Sequence, residues 1–128
     1  MQKKEKESLA QHMEEFLAWV KECQRQFEEA QGAVHYEERR LQDLLHEMEF
    51  APDRDARNRA ATKLQQSRRR RRASKDIAMR NELVVQFFGE QGSKSLLKRM
   101  AEVSRRQRAQ EKYLDGERVY TPRVKEQP

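Results

Sequence analysis

Residues 9–48 read LAQHMEEFLAWVKECQRQFEEAQGAVHYEERRLQDLLHEM. Within them Leu9, Met13, Phe16, Val20, Cys23, Phe27, Ala30, Val34, Glu37, Leu41, Leu44 and Met48 follow one another at alternating steps of four and three. A repeat averaging 3.5 residues holds one stripe of a helix against the same partner over many turns, so the spacing predicts a single long helix with another helix laid along it. About 40 residues of helix extend on the order of 60 Å. Glu37 is the one charged residue on this seam, and it needs a partner on the facing helix.

The remaining chain is read outward from that helix. The segment 50–55, FAPDRD, is the clearest break, because Pro52 cannot continue a helix and biases the residue before it away from helical angles. Asp53 or Asp55 is then expected to cap a second helix, and a connection this short makes the two helices antiparallel neighbours. With the turn centred near Pro52, Leu44 should face Ala61, Val34 should face Arg71, and Glu37 should face Arg68. The second helix offers a poorer seam of Ala60, Leu64, Ser67, Arg71, Ser74, Ala78, Asn81, Val85 and Phe88. Near 83–88 the apolar residues crowd around the helix, opposite Phe16, Leu17, Trp19 and Val20, which is more than two helices can cover. A third helix, with Ser93 as cap and Leu96, Leu97, Met100 and Val103 as its stripe, answers that excess. Beyond Val103 the stripe is expected to fail.

The predicted architecture is therefore all-α: a long antiparallel, coiled-coil-like helical hairpin with a third helix packed at its open end. Helices are placed at about 8–50, 56–88 and 94–115 in one domain, 1–115, followed by a flexible tail, 116–128. Ser8 is the expected cap of the first helix. The composition agrees, with 39% of the 128 residues charged, 35% hydrophobic, four Gly and three Pro, which favours a few long helices over a wide core. The single Cys23 cannot form an internal disulfide, and its seam position suits a small buried thiol in a reducing compartment. No apolar run of membrane-spanning or signal-peptide length occurs, so a cytoplasmic location with no membrane partner is expected.

The net charge of +6 is unevenly spread. Residues 1–50 hold seven Lys/Arg against twelve Asp/Glu, and residues 51–128 hold twenty-one against ten. Between 54 and 80 there are eleven basic residues and two acidic ones, including five consecutive arginines, Arg68 to Arg72. At about 100° per residue five arginines cannot share a face. Arg68 and Arg71 are read as the structural ion-pair partners of Glu37, setting the register of the hairpin. Arg69, Arg70, Arg72, Lys75 and Arg80 are read as an outward strip, and Arg105, Arg106 and Arg108 as a second strip on the third helix. Such strips suit a phosphate backbone. No aromatic residues accompany them to stack bases, so sequence-specific reading is not expected.

Catalytic chemistry finds no support. His12, His35 and His46 are far apart on one helix with no second cysteine, so no metal site is expected, and no glycine-rich phosphate loop or nucleophile–base pair suggests an enzyme or a cofactor. The expected function is a non-enzymatic module that binds nucleic acid or a nucleoprotein complex through its Arg/Lys strips. The alternative is a protein-partner module, an inhibitor or a coiled-coil adaptor. A homodimer is also open, since a seam closes equally well within one chain or between two.

The stretch RRRRRASKDIAMRNELVVQFF (Arg68–Phe88), together with RVYTPRV (Arg118–Val124), resembles small helical accessory proteins of bacteriophages and mobile elements. That resemblance implies a helper in DNA packaging or replication, or an inhibitor of a host defence nuclease of the anti-CRISPR type. It assigns no role to any residue.

Overall fold

The computed structural model describes residues 7–124. They form three helices, α1 Leu9–Glu49, α2 Arg54–Gly89 and α3 Gln91–Asp115, with no strand among the described residues. Contacts divide the chain into two units, one joining the residues up to Ala18 with those from Gln91 onward, the other comprising Trp19–Glu90.

The second unit is the predicted hairpin. Along α1, Val20, Cys23, Ala30, Glu37 and Leu44 are buried and Phe27, Val34, Leu41 and Met48 are half-buried, which is the alternating seam residue for residue. Alpha-helical hydrogen bonding ends at Phe50, whose N–H still donates to the His46 carbonyl at 3.0 Å. Asp53 then caps α2 directly: its backbone is extended (φ −147°, ψ 175°) and its carboxylate accepts from the Ala56 N–H at 2.7 Å. Because the cap is Asp53, α2 starts at Arg54, two residues before the expected position.

The face that α2 turns inward consists of Ala60, Leu64, Ser67 and Asn81, all buried, with Arg71, Ser74, Ala78, Val85 and Phe88 half-buried. It buries little apolar area, so hydrogen bonding has to make its polar members tolerable. The Asn81 amide donates to the Ile77 carbonyl at 2.9 Å and to Gln26 at 3.4 Å. At the far end of the hairpin from the Pro52 turn, the Trp19 and Phe88 rings meet edge-on at 6.3 Å. Cys23 is buried in this unit. Its thiol should react with a maleimide or disulfide reagent only as fast as the hairpin opens; immediate native-state labelling would contradict the seam.

The expected loop at 89–93 is a single residue. Glu90 is extended (φ −66°, ψ 149°) and its N–H donates back to the Phe87 carbonyl, after which α3 begins at Gln91. One non-helical ψ is enough to end the hydrogen-bond ladder, so Gly92 and Ser93 lie inside α3 and Ser93 is not its cap.

In the first unit α3 runs antiparallel to the opening turns of α1. Its inward row is Ser93, Leu97, Met100, Ser104, Gln107 and Glu111, again at steps of four and three, with Ser104 buried and the others half-buried. Leu96 and Val103, expected on the stripe, are exposed, and the row runs on through polar residues where it was expected to fail. Position in the repeat, not side-chain polarity, decides burial here. Leu9 is likewise exposed while Ala10 is fully buried.

Glu111 explains the start of α1. The first N–H groups of a helix lack intrahelical acceptors and carry partial positive charge. The Glu111 carboxylate accepts from the Leu9 N–H at 2.7 Å, from the Ala10 N–H at 3.2 Å and from the Ser8 hydroxyl at 3.2 Å. Ser8 is the cap, its Oγ accepting from the Gln11 N–H at 3.1 Å. One carboxylate from α3 thus completes a cap that local sequence only half supplies. Glu111→Ala should lower the unfolding free energy by about 1 kcal/mol, read as a lower urea midpoint, while the neutral acceptor in Glu111→Gln should recover part of it. Equal midpoints for all three proteins would remove this contact.

Residues 117–124 are exposed and form neither helix nor strand. The Arg118 guanidinium lies 5.7 Å from the centre of the Tyr113 ring. Residues 125–128, the end of the expected tail, lie outside the described residues.

Candidate nucleic-acid interface

The arginine run is sorted by the buried residue just before it. Ser67 is almost fully buried on the inward face of α2, and residues three and four further on share that face while the next one and two do not. Arg70 and Arg71 are therefore the arginines that reach α1. Arg70 Nε donates to Glu37 Oε1 at 2.9 Å, the Ser67 hydroxyl donates to Glu37 Oε2 at 2.5 Å, and Arg71 Nη2 donates to Glu38 at 3.2 Å.

Two sequence expectations are corrected by this. Arg68, expected opposite Glu37, is exposed and does not meet it, and Arg70, expected to point outward, holds Glu37. Arg71 does pair with α1, but through Glu38 and not Glu37 or Val34. The physical reason is rotation: a one-residue difference in the facing position turns a side chain by about 100°.

Glu37 sits in a small polar cluster inside an otherwise apolar seam. Burial by itself raises its pKa, but the hydrogen bonds from Ser67 and Arg70, with the charges of Arg70 and Arg40, outweigh it and hold the carboxyl below its ordinary value. Ser67 was expected on the seam but not as a partner of Glu37, and Arg40, one helical turn from Glu37 on α1, was not singled out in the sequence.

Other cations are also engaged. Lys63 meets Glu47 at 3.3 Å. On α1, Arg25 bridges Glu22 and Glu29 at 2.6 and 2.5 Å, and its hydrogen bond helps pull the Glu22 carboxyl down to about 2. In the first unit Arg108, expected to be free for a partner, makes a two-pronged contact with Glu14 at 3.0 and 2.6 Å. It lies next to the inward row of α3, so it pairs within the protein. Glu14 is correspondingly held low by that hydrogen bond.

What remains on α2 is a set of eight exposed cations with no ion pair among the described residues: Arg54, Arg57, Arg59, Arg68, Arg69, Arg72, Lys75 and Arg80. Five of them, Arg54, Arg57, Arg68, Arg72 and Lys75, fall within an arc roughly 80–140° round from Ser67. They form one row along the side of the helix. From Arg54 to Lys75 the row rises through 21 helical steps, about 32 Å. Arg69 and Arg80 flank it on the outer face. On α3, Arg105 and Arg106 are exposed and unpaired among the described residues. Beyond Lys75 the same side of α2 becomes apolar, with Met79, Leu83 and Phe87 all exposed at successive steps of four.

The described residues hold no group of three or more His, Cys, Asp or Glu placed to bind a metal ion, and none of their helices is long and apolar enough to cross a membrane. The fold and surface define an all-α helical hairpin whose second helix carries a row of exposed cations with no ion pair among the described residues. Comparison of the chain with protein families, with characterised proteins and with solved structures found no match.

Proposed function

We propose that the protein is a non-enzymatic module that binds nucleic acid, free or in a nucleoprotein complex, through the basic row of α2. The supporting observation is the row itself, which has no ion pair among the described residues. The protein uses Arg70, Arg71 and Lys63 to hold α1, and leaves Arg54, Arg57, Arg68, Arg72 and Lys75 in water on one side. Clustered like charges repel and cost stability unless something anionic neutralises them. Phosphate is the fitting anion, because guanidinium groups give it paired hydrogen bonds as well as charge. Arg69 and Arg80 extend the field, and Arg105 and Arg106 of α3 offer a separate patch. Binding is expected to be independent of base sequence. Neutralising Arg68, Arg72 and Lys75 with glutamine should weaken binding to nucleic acid and its salt dependence while leaving the helix content unchanged.

A second reading, a protein-partner module such as a mobile-element inhibitor of a host nuclease, is favoured by the exposed row Met79, Leu83 and Phe87. Three large apolar side chains at helical spacing suit the groove of another protein. Replacing them with serine should leave nucleic-acid binding intact if the first reading holds alone.

A further inference from the structure

The basic row of α2 is not continuous. Arg54 and Arg57 form one group, Arg68, Arg72 and Lys75 another, and on this side of the helix the eleven-residue step from Arg57 to Arg68 carries no charge; it presents the half-buried Ala61 and the exposed Gln65. The basic residues within that step, Arg59 and Lys63, lie on other sides of the helix, and Lys63 is held by Glu47 at 3.3 Å. At about 1.5 Å per residue the uncharged gap is about 16 Å.

Resting on the reading proposed above, we infer that the ligand is the major groove of a B-form DNA duplex, with Arg54 and Arg57 on the phosphates of one rim and Arg68, Arg72 and Lys75 on those of the other. The B-form major groove is about 12 Å wide between its walls, against about 6 Å for the minor groove. A gap of about 16 Å fits the wider opening once the phosphate groups on each rim are included. A single strand presents a charge about every 3.4 Å, for which an unbroken row would serve better and an empty centre wastes contacts. An A-form RNA duplex has a narrow major groove, which the two groups overshoot, and a wide, shallow minor groove, so comparison with an RNA duplex decides whether the spacing selects B-form DNA.

The packing of the hairpin supports a rim-to-rim placement over insertion. The basic row lies at about a right angle to the inward face of α2, so α1 stands beside α2 as seen from the row. Two helices side by side are about 20 Å across, too wide to enter a groove that admits one. The hairpin therefore rests on the phosphates, and no side chain needs to read a base.

The test separates spacing from charge. In the full chain, Arg57→Gln combined with Gln65→Arg keeps the net charge and moves one cation into the gap on an exposed position of the same side. Fluorescence anisotropy at low salt would use a labelled 20-base-pair DNA duplex, one of its strands alone, and an RNA duplex of the same sequence. The wild-type protein should prefer the DNA duplex by about tenfold or more, and the relocated variant should lose about tenfold on that duplex with no loss on the single strand. A variant that binds the DNA duplex as tightly as wild type overturns the inference. So does a wild-type protein that binds the single strand or the RNA duplex equally well, although polyanion binding through α2 then stands. Absence of binding to all three probes overturns both.

Discussion

Replacing Glu37 with lysine should destabilise the hairpin by about 3–5 kcal/mol, the usual cost of leaving a buried charge without its counter-ion. The new ammonium would occupy a site only 6% exposed, among Arg40, Arg70 and the Ser67 hydroxyl. Small domains are stable by about 5–15 kcal/mol, so the variant should melt far below wild type, a change that Trp19 fluorescence and circular dichroism both read. Glu37→Leu should behave in the opposite way. The Arg70 side chain is half exposed and can turn into water, the Ser67 hydroxyl can bond back to a carbonyl of its own helix, and leucine completes the apolar seam. Stability equal to or above wild type at pH 7 is the expected result. Acid separates the two further. A carboxyl whose pKa is lowered on folding stabilises the fold above its unfolded value, about 4.3, and that contribution is lost as pH falls through the lower folded value. The leucine variant should therefore lose less stability than wild type between pH 5 and the acid limit of folding. In double-mutant cycles Glu37→Ala should couple to Ser67→Ala and Arg70→Ala and be additive with Arg68→Ala; coupling to Arg68 alone would mean the hairpin is rotated from the structure described.

Affinity for duplex DNA should fall about 10²- to 10³-fold between 50 and 200 mM monovalent salt. Five phosphate contacts release about 0.9 counter-ion each, which gives a slope near −4.5 of log affinity against log salt. Removing Arg68, Arg72 and Lys75 should shallow that slope by about 3. The control pair Arg70→Gln and Arg71→Gln should leave the slope nearly unchanged and lower stability, because those two side chains are spent on Glu37 and Glu38. Arg105→Gln with Arg106→Gln tests whether α3 contributes a second contact. A slope that responds equally to every neutralised arginine would indicate diffuse attraction to net charge, and no slope at all would leave the exposed Met79, Leu83 and Phe87 as the surface to pursue.

The alternating seam from Met13 to Met48, the turn at Pro52 and Asp53, the Ser8 cap and the inward row of α2 from Ala60 to Phe88 were all legible in the sequence. Each depends on spacing along one helix or on local backbone chemistry, and such periodicity does not change with the partner. Only the tertiary structure decided that Glu37 is held by Ser67 and Arg70 and not by Arg68, since a small change in facing position swings each arginine by about 100°. Part of that was recoverable, because Arg70 and Arg71 stand three and four residues after a seam serine. The cap that Glu111 places on α1 and the loss of Arg108 to Glu14 were not, for both join residues about a hundred apart in sequence. The inward row of α3 escaped for another reason. Its Ser104, Gln107 and Glu111 are polar, and hydrophobicity alone cannot mark a position whose burial is set by the helix packed against it. Which arginines remain free for a ligand followed from these pairings, so the basic row was composed by the fold and not by the run of five.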